Sequence, residues 1–138
     1  MIKKENILES ARNVLSQQGI NKLSLRKIAA ETGCAAPSIY YYFRNKQEIV
    51  AGLWEAIAPD LLRQLSNPAS YDTAYSDFWL QRPDDFKLFI TQAEYYPYVS
   101  QTAAYQRLRS LLGERLVELN GRLMDRIYTT TGQTFEQG

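Results

Sequence analysis

The sequence predicts an all-α fold, a compact three-helix head followed by a longer helical body, and three observations predict it. Apolar residues recur at steps of three and four along most of the 138-residue chain, with no strand pattern. The runs are bounded by helix punctuation: Ser24 before and Gly33 after the second, Pro37 and Pro83 at the openings of later ones. Charge is divided unequally, since residues 1–50 carry eight Lys and Arg against four acids and the remainder carries eight against eleven. A basic head on a mildly acidic body suits a polyanionic partner that touches one end only.

The elements follow in order. Ile7, Ala11, Val14 and Leu15, widened by Leu8, mark a first helix over about residues 4–18, and Gly19 sits where a left-handed cap is wanted. Ser24 caps a short second helix, about 25–32, with Leu25, Ile28 and Ala29 inward; Lys27 stands where Glu or Gln would complete a capping box. Pro37 fits the first turn of a third helix running to about Phe43, and Asn45-Lys46 opens the fourth. That helix presents Ile49, Val50, Leu53, Trp54, Ile57, Leu61 and Leu65 on one broad face, and Pro59 either kinks it or divides it in two.

A fifth helix over about 71–80 turns Tyr75, Phe78 and Trp79 inward. Pro83 with Asp84-Asp85 starts a sixth, proline at the first position and acids at the positive end of the dipole. It is expected to bury Phe86, Phe89, Ile90 and Ala93 and to end at Pro97. A long seventh helix carries Tyr105, Leu108, Leu112, Leu116, Leu119, Leu123 and Ile127, and its interior Gly113 and Gly121 are read as marks of close approach to another helix. The tail from Thr129 to Gly138 lacks periodicity and reads as disordered. The expected domains are 1–47 and 48–138.

Composition excludes several functions. An apolar share of 45% and a charged share of 22% are those of an ordinary globular protein. No apolar run approaches the ~20 residues that span a bilayer, and the start lacks a signal peptide's apolar stretch, so a cytoplasmic protein with no membrane partner is expected. Histidine is absent and Cys34 is the one cysteine, which removes an internal disulfide, the usual zinc ligands and a Ser-His-Asp triad. No cofactor, metal or catalytic residue is implied, and the chain is read as a non-enzyme.

A helix, a turn at Gly33 and a short following helix make the geometry of a helix-turn-helix. The run Leu-Ser-Leu-Arg-Lys-Ile-Ala-Ala-Glu-Thr-Gly-Cys-Ala-Ala-Pro-Ser-Ile-Tyr-Tyr-Tyr-Phe-Arg-Asn-Lys, from Leu23 to Lys46, resembles the TetR family signature closely. Ile7-Leu8-Glu9-Ser10-Ala11 through Gln18-Gly19 matches that family's first helix as well, so the resemblance covers about residues 5–55. It implies a DNA-binding transcriptional regulator: a repressor on near-palindromic operator DNA, released by a small-molecule inducer.

Chemistry assigns the head residues beside that resemblance. Arg26 can reach phosphate or the O6 and N7 of guanine, and Ser24 caps its helix near phosphate. Pro37 and Ser38 stand at the end of the third helix that usually meets base edges. With Ile39 and Phe43 inward, Tyr40, Tyr41 and Tyr42 cannot all be buried, because successive helical residues turn by about 100°. By resemblance Tyr40 is partly structural while Tyr41 and Tyr42 reach DNA. Lys46, with the N–H groups of the fourth helix, is placed to hold a phosphate. Ala35 and Ala36 depart from the pattern: the first cannot cap and the second cannot hydrogen-bond a base, so sequence is read through few direct contacts and through DNA shape.

For the body the resemblance implies an inducer pocket and a dimer interface. Trp54, Trp79, Phe89, Tyr95, Tyr98 and Tyr105, with Glu94 as a polar handle, are the candidate pocket residues for a small, largely apolar or aromatic inducer. A homodimer is expected, with the leucine stripe of the seventh helix as its candidate interface or, equally, as internal core. Family members usually continue past this helix into two further pairing helices, so the sequence reads either as a short member or as one that lacks them through truncation or incomplete coverage of the 48–138 body. The alternative reading is a DNA-bound architectural or partner-docking protein without a small ligand.

Overall fold

The computed structural model describes residues 2–130, which are helix and turn without a strand. The chain divides into two compact units, Met1–Leu53 and Trp54–Gly138.

In the first unit α1 (Lys4–Gln18), a 3-10 turn (Ile20–Lys22), α2 (Leu25–Thr32) and α3 (Ala36–Tyr42) lead into the start of α4 (Lys46–Gln64). Its core is aliphatic, built from Ile7, Ala11, Val14, Leu23, Ile28, Ile39, Ile49 and Val50, with Phe43 as its one buried ring. Gly33 ends α2 in the left-handed conformation, φ 72° and ψ 23°. The Gly33 N–H donates to the Ala30 carbonyl at 3.4 Å and the Cys34 N–H to Ala29 at 3.1 Å, the paired bonds of a Schellman stop. A residue with a Cβ is strained at that φ, which makes Gly33 the hinge between α2 and α3. Gly52 serves packing instead: a Cβ there would lie 3.0 Å from the Phe43 ring and 3.1 Å from Leu8.

The second unit holds the rest of α4, a 3-10 turn (Pro68–Ser70), α5 (Tyr71–Leu80), α6 (Pro83–Phe86) continuing as a π-helical turn (Lys87–Thr91), α7 (Tyr96–Ser100), α8 (Ala103–Leu112) and α9 (Arg115–Thr130). The α9 helix packs on α5 and α8. This core is aromatic: the Trp54 ring lies 6.1 Å from Trp79, 6.2 Å from Phe89 and 5.9 Å from Tyr105, centroid to centroid.

Of the two outcomes left open for Pro59, division does not occur: α4 runs continuously to Gln64 with the proline inside it. Burial of Trp54, Ala58, Leu61 and Leu65 along one face outweighs the ~3 kcal/mol that an interior proline costs. The sixth helix stops at Thr91, leaving Ala93 exposed, and Pro97 sits in the first turn of α7 rather than terminating the helix before it. Proline is tolerated there because that N–H has no helical partner in any case.

The long seventh helix is two helices. Gly113, at φ 59° and ψ −139°, breaks it and lets α8 and α9 fold against each other. The leucine spacing survives because Leu108 and Leu112 end one inner face and Leu116, Leu119, Leu123 and Ile127 form the next. Gly121 meets no close neighbour: a Cβ built there has nothing within 4 Å. Thr129 and Thr130 extend α9, and the rest of the tail read as disordered lies outside the described residues.

Candidate nucleic-acid interface

All eight head residues singled out in the sequence fall in the first unit. Ser24 caps α2, its Oγ accepting the Lys27 N–H at 3.0 Å. Its cap fixes where α2 begins, and Arg26, the second helical residue, stands exposed beside it. Lys27 is turned back to the Gln18 side-chain carbonyl and so braces α2 against α1. At the head of α3, Ala35 occupies the cap position without a side-chain bond, Pro37 is exposed and Ser38 half-buried.

The three tyrosines part company along α3. Ile39 and Phe43 point inward, which turns Tyr40 and Tyr41 to solvent, 55% and 82% exposed. Tyr42 is half-buried, and its hydroxyl donates to the Ile2 carbonyl at 3.0 Å. The outward pair is therefore Tyr40 and Tyr41, not Tyr41 and Tyr42, and the most internal of the three is Tyr42. The reason is angular: Tyr42 follows Ile39 by three residues and so shares its side of the helix.

The start of α4 is organised by Asn45 and Glu48. The Asn45 Oδ1 accepts the Glu48 N–H at 2.8 Å, while the Glu48 carboxylate accepts the Arg44 N–H at 2.8 Å. Lys46 begins the helix in this frame, half-buried. Arg44 escaped the sequence reading; its side chain is 86% exposed, with Nε 3.5 Å from Glu48. Its place after Phe43, the last inward residue of α3, was the available signal.

The candidate pocket residues of the body divide differently. Trp54, Trp79, Phe89, Tyr95 and Tyr105 are buried, whereas Glu94 and Tyr98 are exposed. A polar seam threads this aromatic core. Tyr75 donates to Asn120 Oδ1 at 2.6 Å, Asn120 Nδ2 approaches the Tyr105 hydroxyl at 3.4 Å, and Tyr105 meets the Tyr96 hydroxyl at 3.1 Å. The Trp54 indole donates to Thr102 Oγ1 at 2.8 Å. The Trp79 indole N–H is buried with the Tyr75 hydroxyl as its neighbouring acceptor, outside ideal hydrogen-bonding geometry. Burial raises the Tyr75 and Tyr105 pKa values well above the ordinary phenol range, Tyr105 being raised further by Tyr96. Burial, with the Glu94 carboxylate beside it, pushes Tyr95 up to about 12. Asn120, Thr102 and Tyr96 were missed in the sequence; Asn120 four residues after Leu116, on an otherwise apolar stripe, was the legible sign.

Residues 7–53 match the family described as bacterial regulatory proteins, tetR family. The YvdT transcriptional regulator of Bacillus subtilis is 31% identical over 77 residues, 56% of this chain and 38% of that protein. AcrR of Shigella flexneri is 35% identical over 52 residues, 38% of this chain and 24% of that protein. The class A tetracycline repressor of Escherichia coli is 33% identical over 51 residues, 37% of this chain and 24% of the repressor. Each match spans well under half of the relative's own length. In fold, the chain resembles a crystal structure of a proposed transcription regulator from Lactobacillus plantarum, with a TM-score of 0.55 at 15% identity over 99% of this chain and 91% of that one. No helix among the described residues is long and apolar enough to cross a membrane.

Proposed function

We propose that this chain, whose residues 7–53 match the tetR family of bacterial regulatory proteins, is a DNA-binding transcriptional repressor that leaves its operator when a small inducer enters the body. The observation that carries the reading is the solvent-facing set on the matched helix-turn-helix: Arg26 on α2 and Pro37, Tyr40 and Tyr41 on α3. Exposed phenols beside cations suit phosphate hydrogen bonds, and an exposed guanidinium at a helix start suits guanine. Ser24, Ser38 and Lys46 supply further phosphate contacts, and Tyr42 supports α3 from inside.

One short reading helix gives little discrimination against a genome of competing sites, so the functional form is a two-fold homodimer on a near-palindromic operator. The inducer is a small, largely apolar or aromatic molecule seated against Trp54, Trp79, Phe89, Tyr95 and Tyr105, with Glu94 and Tyr98 as the outer members of the set. No charged side chain is buried among the described residues, which supports an uncharged one.

Duplexes selected from a random pool supply the test. Lys46→Ala should weaken binding to cognate and random DNA alike and lower the salt slope by about one. Arg26→Ala should relax preference at one base pair, at a cost of ~1–3 kcal/mol. Sedimentation with the selected duplex should give two chains per site, and a single chain binding a half-site at full affinity refutes the dimer.

A further inference from the structure

The first turn of α3 presents apolar side chains to solvent at the place where a recognition helix usually reads base edges. Ala35, in the cap position, and Ala36 and Pro37 after it are all exposed. Two methyl groups and a pyrrolidine ring offer neither donor nor acceptor, and Pro37 lacks a backbone N–H as well. Ser38 is half-buried, and its N–H donates to the Ala35 carbonyl at 3.0 Å. Polar chemistry returns one turn later. Tyr40 stands four residues after Ala36 and Tyr41 four after Pro37, so each phenol shares a side of the helix with the apolar residue behind it. The outward face of α3 is therefore apolar at its opening and phenolic beyond, with exposed guanidinium groups on Arg26 in α2 and on Arg44 just after α3.

We propose that Ala36 and Pro37 determine base preference by packing on pyrimidine C5-methyl groups in the major groove, so that the operator half-site carries thymine against the first turn of α3. This rests on the DNA-binding reading above and names a base which that reading leaves open. Among the groups that base pairs present in the major groove, the thymine methyl is the one that an apolar side chain recognises. A cytosine in that place presents its amino group instead, which the same side chains strip of water without supplying an acceptor. The choice is thus two-sided: thymine gains a buried methyl, and cytosine loses a hydrogen bond to water. Arg26 and the phenols leave this task to Ala36 and Pro37, because their polar atoms match guanine and phosphate oxygens.

The test uses the full chain and the duplex it selects from a random pool, with each thymine replaced singly by deoxyuridine, which lacks only the methyl. Fluorescence anisotropy should show an about four-fold loss of affinity at one or more positions of a half-site, the effect of uncovering one methyl group, and no change at the other thymines. Pro37→Ala should bring the thymine-to-uracil ratio at its position toward one while the salt slope keeps the wild-type value, because no phosphate contact is lost. Ala36→Gly, checked for folding by its thermal melt, should do the same at a neighbouring position. A selected duplex in which every uracil replacement is silent overturns the proposal and leaves the DNA-binding reading standing. So does a uracil effect that persists at full size in both variants, since the methyl then acts through duplex shape rather than through these side chains. A chain that selects no duplex from the pool overturns both this inference and the reading on which it rests.

Discussion

The two units solve the burial of polar chemistry in opposite ways. The head packs aliphatic side chains around one phenylalanine and puts its phenols and guanidinium groups outside, on Tyr40, Tyr41, Arg26 and Arg44. The body encloses its chemistry: the rings of Trp79, Tyr105 and Phe89 crowd Trp54, and a line of hydrogen bonds runs from Tyr75 to Tyr96. The difference teaches where each unit's sensitivity lies. A head substitution on the surface changes what is bound and leaves the fold standing, while the corresponding change in the body strikes stability first, because a buried polar group that loses its partner keeps its desolvation cost.

Base should separate the two most widely. Tyr75, Tyr95 and Tyr105 hold folded pKa values above that of an unfolded phenol, near 10. Below pH ~10 both states keep their protons and stability is independent of these groups. Above it the unfolded chain releases protons that the folded body retains, so stability falls as pH rises from 10 through the folded values. Tyrosinate absorbance should show Tyr95 titrating at about 12 while the seam phenols Tyr75 and Tyr105 stay silent until the body unfolds; smooth titration of those two in a still-folded chain would contradict the enclosed seam.

Truncation of the aromatic centre comes next. Trp54→Ala removes ring contacts to Trp79, Phe89 and Tyr105 and the bond to Thr102, and should cost ~3–5 kcal/mol in urea unfolding. In the head, Ile39→Ala is expected at ~2–5 kcal/mol and should abolish DNA binding by loosening α3. A smaller effect isolates the seam itself. Asn120→Leu keeps the side-chain volume but removes the Tyr75 hydroxyl's acceptor and leaves the Tyr105 hydroxyl only Tyr96, for ~1–3 kcal/mol. A neutral outcome would mean that those hydroxyls reach water.

The smallest expected effect is at the cap of α2. Ser24→Ala removes one bond to the Lys27 N–H and should cost ~1 kcal/mol. Its influence on DNA affinity should exceed that on stability if the serine also meets phosphate, which parallel unfolding and binding titrations would show.

The head was the more legible unit. Its three helices begin and end where Ser24, Gly33 and Pro37 say they should, because caps and turn residues act over four or five residues and need no partner from afar. The body was read less well for the same reason in reverse. Leu112 and Leu116 keep helical spacing across Gly113, so periodicity alone joined two helices that the backbone separates. Pro97 is an equally good end to one helix and start of another, and only the break after Thr91 chooses between them.

By itself, then, the sequence determined the all-α class, the helix-turn-helix and its basic surface, since each is written in local patterns of three to twenty residues. Tertiary structure alone decided that Tyr42 grips Ile2 and that Asn120 is the relay between Tyr75 and Tyr105. These depend on residues 15 to 45 positions apart and on side-chain direction, which no local propensity encodes.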